Sequence, residues 1–207
     1  LPATVPYWLV VVGSAFAIIL VKALCGGLGQ NIFNPALSAR GFMMLVAPAY
    51  MVRFEGVDGV TAATPLHHMV MPVLPQESLL DMFLGNVGGS LGETCAIALI
   101  LGGIYLIARK VISPIIPFTF IGTVAVFMLF AGNGYIDFVA YELLGGGLML
   151  GAFFMATDYS TSPINKKGKI IFGIGCGLIT SVIRIFGSLP EGVSFSIILM
   201  NILVPHI

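Results

Sequence analysis

Charge is the scarcest property of this sequence. Its 207 residues hold nine Lys or Arg and nine Asp or Glu, 9% of the chain, where a soluble domain carries about a quarter. So few charges cannot clothe a water-soluble surface, which excludes an ordinary soluble fold and leaves lipid to cover most of the outside. They also cancel to a formal net charge of zero, which removes the electrostatic basis for binding nucleic acid. Cysteine is nearly as rare. Cys25, Cys95 and Cys176 are odd in number, far apart and set in apolar stretches, and read as reduced packing residues rather than disulfides or metal ligands. An iron–sulfur cluster normally takes four cysteines, so this chain alone holds none of the usual kind. No G-x-G-x-x-G follows a strand-like run, so no nicotinamide site is expected. The chain begins at Leu1 with no basic region or small-residue cleavage site around its first apolar run. It therefore reads as the C-terminal part of a longer protein, not as a chain with a signal peptide.

Apolar sequence is what the chain has instead: 58% hydrophobic residues and a mean hydropathy of +1.06. A membrane span needs about 20 mostly apolar residues. About seven segments qualify: 7–24, 35–52, 91–108, 115–131, 138–156, 170–187 and a shorter tail, 193–207. They are continuous runs, not the short alternating segments of a transmembrane β-barrel. The expected fold is all-α, a polytopic transmembrane helical bundle forming one domain over 1–207, with broken or re-entrant helices and an internal repeat. Glycines at 145–147, 151, 173, 175 and 177 read as sites where helix backbones approach closely. Two loops, 26–35 and 157–163, are polar and each ends in a proline ahead of a span. Either they line a cavity between paired interrupted segments, or they are turns whose proline opens the next helix.

The basic residues orient the chain. Threading seven spans puts Lys22, Arg109, Lys110, Lys166, Lys167 and Lys169 on one side, which the charge bias makes cytoplasmic. Residues 131–137, 188–192 and the long stretch 53–90 then fall outside, with Arg53 as the dissenting charge.

That exterior stretch carries the most informative motif, Asp58-Gly59-Val60-Thr61-Ala62-Ala63-Thr64-Pro65-Leu66. It resembles the flavinylation signature of proteins that carry FMN on a threonine: Asp, two residues, Ser or Thr, a small residue, Ala, then the acceptor. A threonine hydroxyl is a poor nucleophile and needs activation by a closely approaching transferase. Ala62 and Ala63 leave room for that approach, while Asp58 and Thr61 can hold the local backbone through short-range hydrogen bonds. Ala62 departs from the signature, which often has Gly there. The plain alternative is a polar turn ending in Thr-Pro.

Further stretches resemble one family in its own order: Gly29-Gln30-Asn31-Ile32-Phe33-Asn34-Pro35-Ala36-Leu37-Ser38-Ala39-Arg40, then Gly88-Gly89-Ser90-Leu91-Gly92-Glu93-Thr94, Gly151-Ala152-Phe153-Phe154-Met155-Ala156-Thr157-Asp158, and Pro190-Glu191-Gly192. Together they resemble the RnfD/NqrB family, membrane subunits of the Rnf electron transport complex and of the sodium-translocating NADH:quinone reductase. The short gap between Thr64 and the stretch 85–93 is more similar to the Rnf member. The resemblance implies that Thr64 carries FMN through a phosphoester bond. It also implies a relay within a complex that moves electrons between ferredoxin and NAD, coupled to Na⁺ or H⁺ transport. The implied partners are other subunits of the complex, among them a second flavin-carrying subunit and iron–sulfur subunits, together with a flavin transferase during maturation. A second, noncovalent flavin is a further implied cofactor. The implied location is the bacterial or archaeal cell membrane, with the flavin loop extracytoplasmic.

Two acids near span ends, Glu93 and Asp158, are ion-path candidates because ionisable groups there are costly. The alternatives are that Glu93 stabilises a helix N-terminus and Asp158 caps polar backbone. Glu142, inside the fifth candidate span, reads as a structural partner of Arg184. His67 and His68 have no third ligand nearby, so no metal site is expected. Readings of other classes are a channel for a small neutral solute, which would not need the Thr61–Thr64 motif, and a purely structural scaffold, in which Glu93 and Asp158 would be replaceable.

Overall fold

A computed structural model describes residues 1–24, 27, 31–55, 61–62, 78–187 and 192–207. The described chain is all-α apart from one two-residue antiparallel pairing. Helix α1 (Tyr7–Leu24) changes from α- to π-type hydrogen bonding at Phe16, and α2 (Pro35–Val46) and α3 (Pro48–Met51) follow. Strands β1 (Phe54–Glu55) and β2 (Thr61–Ala62) pair Phe54 with Ala62 and Glu55 with Thr61. The remaining elements are α4 (Leu79–Leu84), α5 (Ala96–Ala108), α6 (Ile115–Ala131), α7 (Ile136–Leu144), α8 (Leu148–Met155), α9 (Lys166–Phe186) and α10 (Val193–Leu203), which ends in a 3₁₀ turn.

Each of the seven apolar segments contains a helix, and the polar residues beside them set the ends. The Asn34 side chain accepts from the N–H groups of Ala36 and Leu37 with Pro35 at the first helical position, so this loop ends in a turn whose proline opens α2. Helix α2 stops early because Ala47, ahead of Pro48, takes an extended φ of −139°. The third segment is shorter than its apolar run. Leu91–Glu93 form a turn in which Gly92 has φ +83°, and α5 begins only at Ala96. Helix α9 begins four residues before its apolar run, because Asn165 accepts the Gly168 N–H and starts the helix at the lysines. Helices α1 and α9 are each long and apolar enough to cross a bilayer. Together α7 and α8, bent by 63° at their break, would make a third crossing.

The core is built on α6 against α9. A Cβ on Gly173 would strike the Thr119 side chain and come 3.2 Å from the Ile116 carbonyl. One on Gly177 would come 2.6 Å from Thr123 Cβ and 3.1 Å from the Phe120 carbonyl. The two glycines are thus a contact surface for backbone, the role read from their spacing. Both partners advance by four residues in the same direction, so α6 and α9 run parallel. The chain must therefore return between them. It does so through α7 and α8, which bring Thr157 back beside Ile116 in one cleft. Phe120, Leu148, Phe172, Cys176 and Ile197 are fully buried where these helices meet α10.

This packing gives a direct stability test. Gly173→Val is expected to cost about 1–3 kcal/mol through overpacking, seen as a lower Tm of the detergent-solubilised protein. Gly122→Val, on the same α6 but with no atom within 4 Å of an added Cβ, is expected to leave the Tm unchanged. Equal shifts would mean that the α6–α9 seam is not where the bundle is tight.

Candidate functional site

Of the motif residues, only Thr61 and Ala62 are described, and only through their backbone pairing with Glu55 and Phe54. Asp58, Ala63 and Thr64, with His67 and His68, lie outside the described residues. What is described is how the segment is tethered. On one side Phe54 is buried and the Arg53 carbonyl accepts from the Thr4 hydroxyl at 3.0 Å. The β1–β2 pairing then turns the chain back just before the acceptor position. On the other side Ser78 opens α4, accepting the Asp81 N–H at 3.1 Å while its hydroxyl donates to Asp81 Oδ2 at 2.6 Å.

The second feature is the break between α7 and α8, where both facing helix ends meet a buried charge. At the C-terminal end of α7, Arg184 Nη1 donates to Glu142 Oε2 at 2.9 Å and to the Glu142 carbonyl at 2.6 Å. Its Nη2 donates to the Gly145 carbonyl at 3.2 Å. One guanidinium thus pairs a carboxylate and caps two orphan carbonyls, and its charge opposes the negative end of the helix dipole. The Glu142–Arg184 pair expected from the sequence is present. At the start of α8 the charge is negative. Glu93 is 5% exposed. Its Oε1 accepts the Ser90 N–H at 3.0 Å, and its Oε2 lies 3.6 Å from Arg40 Nη1. A Cβ on Gly147 would sit 3.1 Å from that Oε2, so the carboxylate faces the electropositive N-terminus of α8. The helix end it faces is therefore that of α8, one half of the broken pair. Arg40, the partner that sequence reasoning missed, also donates to Ser90 Oγ at 3.3 Å. The available signal was a lone arginine inside the second apolar segment.

Arg184→Ala is expected to destabilise the protein by about 3–5 kcal/mol, because it leaves the Glu142 charge and two carbonyls buried without a partner. Arg184→Lys restores charge but not the forked geometry and should recover only part of the loss. Thermal unfolding in detergent checks both. An Arg184→Ala protein as stable as wild type would show that the pair does not hold the break.

Asp158 follows α8 at the opposite end of that half-helix from Glu93. Its Oδ2 accepts from Ser160 Oγ at 3.0 Å and Thr161 Oγ1 at 3.2 Å, and its carbonyl accepts the Ser162 N–H at 3.1 Å. Oriented by its hydrogen bonds, the buried Asn201 amide donates to the carbonyls of Thr161 and Ile197, both at 3.2 Å. Asp158 is half-buried and has no cationic partner among the described residues. The two acids therefore stand in different surroundings and share no partner. Among the described residues no group of His, Cys, Asp and Glu could hold a metal ion.

A bundle of apolar helices with an apolar exterior and ion pairs buried at a broken helix defines an all-α membrane protein. Comparison with known proteins makes the class specific. The chain belongs to the NQR2, RnfD, RnfE family, whose model matches residues 1–207. It is 48% identical to the D subunit of the Na⁺-translocating ferredoxin:NAD⁺ oxidoreductase complex of Acetobacterium woodii, over all of this chain and 66% of that protein. It is 43% identical to the D subunit of the proton-translocating ferredoxin:NAD⁺ oxidoreductase complex of Clostridium ljungdahlii, over all of this chain and 68% of that protein. Identity to the D subunit of the ion-translocating oxidoreductase complex of Stutzerimonas stutzeri is 38%, over all of this chain and 69% of that protein. The chain thus spans about two thirds of the length of these relatives, which are subunits of oxidoreductase complexes that move ions. The family resemblance read from the motifs is borne out.

Proposed function

We propose that the chain is the membrane-embedded part of an RnfD-type subunit in an ion-translocating ferredoxin:NAD oxidoreductase. It carries FMN on Thr64 through a phosphoester bond and serves as one electron relay in a complex that transports Na⁺ or H⁺. The observation that carries this reading is the Asp58–Thr64 motif, set in a chain whose whole length matches subunits of such complexes. FMN, when bound, takes up and returns single electrons. The chain supplies the acceptor hydroxyl, two small neighbours at Ala62 and Ala63, and a loop tethered at Phe54 and Ser78. That is a fit for covalent attachment: the sequence puts small residues beside the acceptor, which leaves room for a transferase. The remaining partners are the bilayer, a second flavin-carrying subunit and iron–sulfur subunits, and a second, noncovalent flavin belongs to the same proposal. The NqrB-type subunit of a Na⁺-translocating quinone reductase is the nearest alternative within the family. A neutral-solute channel is disfavoured because α6 and α9 meet backbone to side chain around fully buried Phe120 and Phe172. Intact mass of the purified protein tests the proposal, since FMN adds a defined increment that an unmodified chain lacks.

The proposal also fixes sides. The parallel run of α6 and α9 puts Arg109, Lys110 and the three lysines of α9 at one end, and charge bias makes that end cytoplasmic. In a cysteine-free background, a cysteine replacing the 94%-exposed Ile164 is expected to react with an impermeant thiol reagent only after cell lysis. One replacing Asn133, at the far end of α6, is expected to react in intact cells. The reverse pattern would put Thr64 in the cytoplasm and remove the topological support for flavinylation there.

A further inference from the structure

Five of the nine basic residues, Arg109, Lys110, Lys166, Lys167 and Lys169, gather at one end of the bundle. None of the five is in an ion pair among the described residues. The nearby acid, Asp158, turns one oxygen to the hydroxyls of Ser160 and Thr161. The three lysines of α9 also stand where local electrostatics disfavours them. Lys166, Lys167 and Lys169 occupy the first turn of α9, whereas Arg109 and Lys110 close the C-terminal end of α5, where the helix dipole favours cations. The parallel helices both point their N-termini at this end, and each N-terminus already carries a partial positive charge. The side preference of basic residues explains which end they occupy. It does not explain cations placed within the first helical turn, and a local rule broken without compensation marks a functional site.

A cleft of about 210 Å³ opens among them, between the α5–α6 turn and the loop ahead of α9. Lys169 is half-buried in its wall, with Ser113, Thr157 and Ser162. The Thr157 hydroxyl is turned to the Phe153 carbonyl at 2.7 Å. The Ser113 and Ser162 hydroxyls make no hydrogen bond within the described chain and are open to a ligand. Pro114 precedes α6 and no side chain caps the helix, so its first N–H groups have no side-chain acceptor either. The rim is apolar: Val111, Tyr159 and Ile164 are 67%, 85% and 94% exposed. We propose that this cleft binds the phosphate of an anionic phospholipid, with Lys169, Ser113 and Ser162 holding the phosphate oxygens and the apolar rim set at the acyl–glycerol boundary. The concave pocket fits a tetrahedral anion, and the rim needs lipid beside it, whereas an acidic protein surface would use the cations without filling the cleft. Basic pockets between helices on the cytoplasmic side have the chemistry that holds anionic lipid headgroups. The inference rests on the membrane reading of the chain but not on the flavin.

The test uses the intact complex, purified and examined by native mass spectrometry against phosphatidylglycerol and phosphatidylcholine. Wild type is expected to retain phosphatidylglycerol about tenfold more strongly. Lys169→Gln with Ser113→Ala should bring the ratio near one, as should the exposed pair Lys166→Gln and Lys167→Gln in part, while Lys22→Gln leaves it unchanged. In-gel flavin fluorescence is expected to be equal in all of them, and its loss in wild type would count against the flavin proposal alone. No lipid preference in wild type, or preference intact in the cleft variants, overturns the site. Displacement of the lipid by millimolar inorganic phosphate would make it a free-anion site. Loss of a neighbouring subunit from the variants, with lipid preference unchanged, would make the patch a protein interface. Either result overturns the assignment.

Discussion

Thr64→Ala is expected to abolish covalent flavin fluorescence in the denatured band while the protein still inserts and assembles. The loss should be complete, not graded, because a phosphoester needs the one hydroxyl and alanine supplies no substitute nucleophile. Assembly should survive because the position lies between two tethers that do not involve it: Phe54 buried at one flank and the Ser78–Asp81 cap of α4 at the other. Thr61→Val behaves differently. Thr61 pairs with Glu55 through backbone, an interaction valine keeps, so that variant should lose only the hydroxyl's positioning contribution and retain part of the flavin. Asp58→Asn, at the other position read as holding the local backbone, should likewise retain part of the flavin. Fluorescence persisting in Thr64→Ala would move the acceptor elsewhere. Equal, complete loss in Thr61→Val would mean that the transferase reads Thr61 as strictly as the acceptor.

The helical segments were legible because a bilayer demands long apolar runs, and each of the seven holds a helix. Their ends were less legible, since caps and turns decide them. Asn165 starts α9 among lysines that an apolar count excludes, and Gly92 keeps Leu91 out of α5. The break at Gly145–Gly147 was visible as a glycine cluster, but its 63° bend depends on Arg184 and Glu93 arriving from distant segments. One of those pairings, Glu142 with Arg184, followed from two opposite charges in neighbouring apolar helices. The other did not, because Arg40 and Glu93 are separated by a stretch whose path no local pattern dictates. On the proposed function, the Asp58–Thr64 motif is legible for the opposite reason. A transferase that modifies a threonine reads a short sequence around it, so the information in such a motif is local by necessity.

The contrast between the two acids shapes the expectation for ion transport. A carboxylate that passes a cation must offer charge not already neutralised, and Asp158 does so: half-buried, held by two hydroxyls, without a cationic partner among the described residues. Asp158→Asn keeps the shape and removes the charge, and the hydroxyls of Ser160 and Thr161 can still bond the amide oxygen. It is expected to slow ion uptake about tenfold, a barrier change of ~1.4 kcal/mol, with covalent flavin and assembly near wild type. Glu93 is also proposed for the ion path, but its charge lies 3.6 Å from Arg40 and faces the N-terminus of α8. Glu93→Gln therefore carries a structural cost, since it removes the buried carboxylate that lies 3.6 Å from Arg40. The double variant Arg40→Gln with Glu93→Gln removes both charges and separates the roles. If it assembles and transports at the wild-type rate, Glu93 is an anchor for the broken helix and not a carrier. If it assembles but transport stays slow, Glu93 handles the ion. Ion uptake and electron transfer are measured in the same proteoliposomes, with flavin fluorescence as the loading control. Wild-type transport in Asp158→Asn would place the ion path in another part of the complex and leave Asp158 as a cap for the loop ahead of α9.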